Sequence, residues 1–115
     1  MAKDRLDIQT TPGSRDGHRI LQMAGELTLQ SLFSFQQAVR SDKAPVLILD
    51  LSGVTFVDSA GVGALVGACI SAQKDSRKLA LVGVGERAAA SLSILGLTKF
   101  FPTFATVQAA EQSLS

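Results

Sequence analysis

The fold is decided by residues 49–63, Leu49-Asp50-Leu51-Ser52-Gly53-Val54-Thr55-Phe56-Val57-Asp58-Ser59-Ala60-Gly61-Val62-Gly63. This stretch continues the apolar run Val46-Leu47-Ile48, whose length and composition suit a strand covered on both faces. After Ser59, apolar residues recur at helical spacing. The stretch therefore predicts a central buried strand, then a tight connection, then a helix.

The helix after this connection carries two different faces. Its apolar face is predicted to contain Val62, Leu65, Val66, Cys69 and Ile70. A strip of small residues runs beside it, formed by Ala60, Gly63, Ala64, Gly67, Ala68 and Ser71. Glycine inside a helix costs up to about 1 kcal/mol relative to alanine, so the two glycines require a reason. Either a partner approaches the strip closely, or the helix lies close to the sheet or to a neighbouring helix.

Upstream, the sequence predicts a hairpin and a first helix. Leu6 and Ile8 alternate with polar residues, residues 19–23 are extended in character, and Pro12-Gly13 and Asp16-Gly17 supply turn chemistry between them. After Gly25 the period becomes helical. The buried face of this helix is predicted to contain Leu29, Leu32, Phe35 and Val39, with Phe33 at its edge.

Downstream, strands and helices alternate. We predict a buried strand over 79–84, a helix over 86–97, a short strand around Phe104 and a closing helix from about Thr106. The inward residues of these two helices are predicted to be Ala88, Leu92 and Leu95, then Val107, Ala110 and Leu114. This order indicates an α/β fold, in which an N-terminal β-hairpin continues into a mixed β-sheet with helices packed on it. We expect residues 1–115 to form a single domain.

Composition narrows the classes of function. Eleven Lys and Arg are matched by ten acids and are scattered along the chain, which makes direct contact with nucleic acid or membrane a poor expectation. The first residues show no signal peptide, and Cys69 is the single cysteine. A cytoplasmic protein without metal or cofactor is expected, and its oligomeric state is left open. Most of the six Phe are expected to serve packing.

Asp58 and Ser59 lie where the helix needs an N-cap. Either side chain can accept hydrogen bonds from backbone N–H groups one turn ahead, which explains both residues without any function. A serine at a helix N-terminus can also be exposed, and the helix dipole would tolerate a phosphate there. The residues alone leave both interpretations open.

The same stretch resembles the signature of STAS domains, the bacterial anti-sigma-factor antagonists. In that family an apolar strand and Asp-Leu-Ser precede Asp-Ser-Ala-Gly or Asp-Ser-Ser-Gly, as residues 50–52 and 58–61 do here. The resemblance extends over nearly the whole chain through Gly25-Glu26-Leu27, residues 79–84 and Leu95-Gly96-Leu97 before Phe100-Phe101.

The resemblance implies a regulatory binding protein and not an enzyme. In the family, the serine after the motif aspartate is phosphorylated by a partner that is both anti-sigma factor and serine kinase, and a phosphatase can reset it. This assigns phosphorylation to Ser59. The implied partner-binding residues are Thr28, Asp58, Ser59, Ala60, Gly61, Gly63 and Gly67. Thr28 is a departure, because family members often have an acid there.

Two other classes of function fit parts of the sequence. A STAS adaptor in a lipid-transport or stress-signalling complex would keep the fold without the phosphoswitch. A hydrolase would need a base for Ser59, but His18 is the only histidine and lies at the start of a predicted strand. Gly83-Val84-Gly85 has the shape of a dinucleotide-binding turn, but no acid follows about twenty residues later, so a tight turn between strand and helix is favoured.

Overall fold

A computed structural model describes residues 6–94, 96 and 102–114. These residues form five strands and four helices, in the order β1 (Leu6–Pro12), β2 (His18–Leu27), α1 (Leu32–Ser41), β3 (Val46–Val57), α2 (Ser59–Lys74), β4 (Lys78–Val82), α3 (Glu86–Ile94), β5 (Thr103–Phe104) and α4 (Val107–Leu114).

The strands form one sheet in the order β1-β2-β3-β4-β5. β1 and β2 form the antiparallel hairpin, with Leu6 opposite Gly25 and Pro12 opposite Arg19. The other three pairs of neighbouring strands are parallel. Parallel neighbours require crossover connections, which α1 and α2 provide on either side of β3. The predicted mixed sheet with an N-terminal hairpin is confirmed.

β3 is the central strand, as predicted. Residues 46–51 are all buried. Leu47, Leu49 and Leu51 belong to the main core, which includes buried side chains of α1 and α2, whereas Val46 and Ile48 belong to a smaller core with Ala110 of α4. Coverage on both faces explains why this run shows no alternation of apolar and polar residues.

The prediction of a tight connection at residues 52–57 is wrong, because β3 continues through them to Val57. β2 also extends further than predicted, and its last residue, Leu27, pairs with Val57. Gly53 is consistent with this pairing, since a Cβ there would stand 2.8 Å from the Met23 carbonyl oxygen. The carboxyl ends of β2 and β3 therefore lie side by side, directly before α2.

The two predicted helices before β4 are confirmed, but part of each predicted apolar face is wrong. Phe35, Val39, Leu65 and Cys69 are buried as expected. Ile70 is 53% exposed, because it lies one residue beyond Cys69 and faces away from the sheet. The exposed residues near α1 are described with the site below.

The last elements agree with the sequence analysis where the structure describes them. β5 contains Phe104, and Ala110 is the buried apolar residue of α4, with Val107 and Leu114 packed at the margin of the same core. α3 ends at Ile94. Leu95, Leu97 and the side chains of Ala88 and Leu92 lie outside the described residues.

A buried polar cluster ties the hairpin turn to α4. The Glu111 carboxylate accepts hydrogen bonds from the Ser14 backbone N–H at 2.8 Å and the Ser14 hydroxyl at 2.9 Å, and His18 Nδ1 lies 3.1 Å from Oε1. His18 and Glu111 are each only 6% exposed. Burial acts to raise the pKa of Glu111, but these hydrogen bonds and the charge of His18 outweigh it, so the pKa lies below its ordinary value.

Candidate functional site

Asp58 joins three segments at the start of α2. Its backbone N–H donates to the Leu27 carbonyl oxygen at 3.2 Å. Its Oδ1 accepts from the Gly61 N–H at 2.8 Å, and its Oδ2 accepts from the Leu29 N–H at 3.1 Å. Asp58 is therefore the N-cap of α2, and the choice that the sequence left open between Asp58 and Ser59 falls on Asp58.

Ser59 is the first residue of α2 and is exposed. Because Asp58 caps the helix, the hydroxyl of Ser59 is not required for that role. Ala60 follows it, half-buried, at the start of the helix. The structure thus brings together an exposed hydroxyl and a fixed carboxylate at a helix N-terminus, where a phosphate is electrostatically tolerated.

Gly61 is required by close packing. It is buried, and a Cβ at this position would overlap the Leu27 carbonyl oxygen and stand 2.8 Å from Cγ1 of Val57. The first turn of α2 consequently lies directly on the end of β2. Of the predicted partner-binding residues, Gly61 has a structural explanation that needs no partner.

Thr28 lies beside the site but is only 6% exposed. Its backbone N–H donates to the Ser31 hydroxyl oxygen at 2.9 Å, and the Ser31 hydroxyl donates to the Glu26 carbonyl oxygen at 2.7 Å. These bonds shape the turn between β2 and α1. A partner could reach the neighbouring Leu29 more easily than Thr28 itself.

Three large apolar side chains are exposed on the segments that follow β2 or precede α2. Leu29 is 66%, Phe33 68% and Phe56 46% exposed. Leu29 is bonded to Asp58 through its backbone, and Phe56 precedes Asp58 by two residues. We call these three residues the apolar surface. Large apolar side chains that are exposed are candidates for protein contact.

The prediction that these three residues serve packing is wrong, because all three are exposed. Leu29 fits the helical spacing of the α1 face, but it precedes the helix, which begins at Leu32. Phe33 lies inside α1 on the side away from Phe35. The sequence indicates this for Phe33, because a residue two positions before Phe35 lies outside the buried face of a short amphipathic helix.

A groove of about 840 Å³ separates α1 from α2. The small residues of the predicted strip all line it, and we call it the α1–α2 groove. A Cβ added at Gly63 or Gly67 would meet no heavy atom within 4 Å. Close packing within the described residues therefore does not explain these two glycines, in contrast to Gly61.

The geometry does not favour catalytic or nucleotide-binding chemistry at Ser59, the Gly83 turn or Cys69. His18 lies at the amino end of β2, whereas Ser59 lies beside its carboxyl end, roughly 30 Å away along the strand. Gly83, with φ of 68°, begins the turn between β4 and α3. Burial raises the pKa of the Cys69 thiol, which disfavours its reactive thiolate.

Neither a metal cluster nor a membrane span is found in the part of the chain that the structure describes. There, no group of three or more His, Cys, Asp or Glu side chains could hold a metal ion. Helices within the same residues are also too short or too polar to cross a membrane.

Comparison with known proteins gives a consistent result. A family model for the STAS domain matches residues 8–110. The anti-sigma-B factor antagonist of Staphylococcus aureus is 26% identical over 95 residues, covering 80% of this chain and 86% of that protein. The anti-sigma-F factor antagonist RsfB of Mycobacterium tuberculosis is 27% identical over 103 residues, covering 87% and 84%.

A solved structure of similar fold comes from the same class. The crystal structure of an anti-sigma factor antagonist from Mycobacterium paratuberculosis superimposes with a TM-score of 0.78 at 26% identity, and the match covers 94% of each chain.

Proposed function

This chain belongs to the STAS domain family, and on that premise we propose that it is a cytoplasmic anti-sigma-factor antagonist controlled at Ser59. In the unmodified form it binds an anti-sigma factor that is also a serine kinase, and a sigma factor is released. Phosphorylation of Ser59 ends this binding, and a phosphatase restores it.

The observation that carries the proposal is the exposure of Ser59 beside a carboxylate that is held in place. Asp58 cannot swing away without losing its bonds to the Gly61 and Leu29 N–H groups. Leu29, which belongs to the apolar surface, is bonded to Asp58 through its backbone, so a partner that covers Leu29 would also reach Ser59. The structure of the site therefore supports a contact surface with a modifiable hydroxyl at its edge.

Phosphorylation would oppose binding by direct electrostatics. A phosphate adds up to about two negative charges next to Asp58. A hundredfold loss of affinity corresponds to about 2.8 kcal/mol, which like-charge repulsion and desolvation of a covered phosphate can supply. No change in the fold is needed for such a switch.

Thr28 affects how the kinase would recognise the site. Family members often carry an acid at this position, whereas Thr28 is neutral and buried. We propose that the exposed side chain of Leu29 makes contact here instead. Recognition would then depend more on apolar contact than on charge.

The test is phosphosite mapping by mass spectrometry after incubation of the purified protein with Mg-ATP and a lysate of its source organism. Phosphate is expected on Ser59 and is expected to vanish in Ser59→Ala. Ser93→Ala is the matched control, because Ser93 is an exposed serine on another helix, and it should not change the signal. Absence of phosphate on Ser59 in a lysate with proven kinase activity would favour a STAS adaptor without a phosphoswitch.

A further inference from the structure

The α1–α2 groove differs in chemistry between its two ends. Near Ser59 it is lined by the small, uncharged Ala60 and Gly63. At the opposite end it is lined by three cations, Arg40, Lys43 and Arg77, with Asp75 as the one acid among the described lining residues. Its floor between the ends includes apolar side chains of α1 and α2. The groove is therefore an apolar channel with a net positive end.

Arg77 is anchored at the basic end of the groove. Its Nε donates to the Ala44 carbonyl oxygen at 2.7 Å. Its Nη2 is buried and has no hydrogen-bond partner within the described residues. A buried guanidinium nitrogen without an acceptor costs free energy, and a carboxylate is the acceptor that arginine binds best. Arg77 lines the groove, so a carboxylate at this end would meet the positive charge of its guanidinium.

Helix dipoles do not fully explain the three cations. A cation near the carboxyl end of a helix is favourable. Lys74, in the last turn of α2, meets this requirement, and it does not line the groove. Arg40 lies in the last turn of α1, where the dipole favours it, but Lys43 and Arg77 lie outside both helices. The convergence of all three cations on one end of the groove is therefore a separate feature.

The shape of the groove suits a protein helix better than a small molecule. Small-molecule sites enclose most of the ligand surface, whereas this groove is open along its length and has no side chain above Gly63 and Gly67. A helix satisfies its own backbone hydrogen bonds and can lie in a groove between two others. The 16 residues of α2 extend about 24 Å, which would accommodate about four turns of a partner helix.

We propose that the α1–α2 groove receives an amphipathic helix of the anti-sigma factor, which places small or aliphatic side chains on α2 and carboxylates against Arg40, Lys43 and Arg77. This inference rests on the proposed function, because it extends the contact with the same partner beyond Ser59. The helix would lie along α2, with its acidic end far from the phosphorylation site.

The test compares charge reversals inside and outside the groove. The kinase identified through Ser59 phosphorylation is purified, and its affinity is measured for the wild-type chain, for the double variant Arg40→Glu/Lys43→Glu and for Lys74→Glu. All three side chains are exposed, so the variants should fold, which urea denaturation checks. The double variant is expected to bind about tenfold more weakly, and Lys74→Glu less than about twofold.

A second variant probes the shape of the groove independently of its charge. Gly67→Leu places a side chain in the open space and is expected to weaken binding at least about tenfold. The inference is overturned if the double variant and Lys74→Glu bind alike, or if Gly67→Leu binds as the wild type does. If the wild-type chain itself binds no kinase, the proposed function is wrong. If the wild type binds and these variants do not differ as expected, only the groove inference is wrong.

Discussion

The Asp58 carboxylate accepts a hydrogen bond from the Leu29 N–H, 29 residues earlier in the chain. Together with its bond to the Gly61 N–H, this contact fixes the turn after β2 against the first turn of α2. The backbone of Leu29 is thus fixed in position relative to the backbone of Ser59. A surface of this kind can respond to a single phosphate without any movement of the backbone.

Removal of the Asp58 carboxylate should destabilise the protein. In Asp58→Ala the N–H groups of Gly61 and Leu29 lose their acceptor, and the expected loss is about 1–2 kcal/mol in the free energy of unfolding. Urea denaturation measures it. Asp58→Asn, which keeps an acceptor oxygen for the cap, should lose less. Equal losses in the two variants would show that the cap does not hold the turn.

The glycines of α2 should respond in opposite directions to alanine. Gly61→Ala places a Cβ against the Leu27 carbonyl oxygen and should destabilise the protein by about 1–3 kcal/mol. Gly63→Ala is the matched control, since its Cβ meets open space, and it should stabilise the helix by up to about 1 kcal/mol. Thermal denaturation of the pair tests this. Destabilisation by Gly63→Ala would contradict the geometry of the groove.

Glu111 should make stability depend on pH. Because the pKa of its carboxyl is lowered in the folded state, its contribution is complete above the unfolded pKa of about 4.3 and is lost as pH falls through the folded value. Glu111→Gln should cost about 1–3 kcal/mol at pH 7, where hydrogen bonds to a charged acceptor are lost. The difference from wild type should narrow at pH 3. A difference that is constant between pH 7 and pH 3 would contradict this account.

The apolar surface should matter for binding and not for folding. Leu29→Ser and Phe33→Ser change exposed side chains, so the free energy of unfolding should move by less than about 0.5 kcal/mol. Their affinity for the kinase should fall about tenfold or more, as for residues at the centre of an interface. Ile94→Ser, at a residue 85% exposed on α3, is the control and should bind normally. Unchanged affinity in both variants would place the partner elsewhere.

Local patterns predicted the elements of this fold well, and pairing between distant segments explains what they missed. The unbroken apolar run beginning at Val46 predicts a central strand because only a strand covered on both faces tolerates it. Residues 52–57 have no such pattern, and they are extended because β2 lies beside them.

The sequence predicted where the candidate site lies in the chain, but it did not predict which side chains are exposed there. Asp58 and Ser59 were found by their place before an apolar helix. The choice of Asp58 as the cap depends on where the Leu29 and Gly61 N–H groups lie, which no local pattern gives. The exposure of Phe33 and the open space above Gly67 likewise depend on the packing of α1 against α2.

The central claim is tested most directly by the affinity of the purified kinase for two forms of this chain, unmodified and stoichiometrically phosphorylated on Ser59, measured by calorimetry in the same buffer. The account predicts that the phosphorylated form binds at least about a hundredfold more weakly, a difference of about 2.8 kcal/mol. Equal affinity of the two forms would contradict a switch at Ser59.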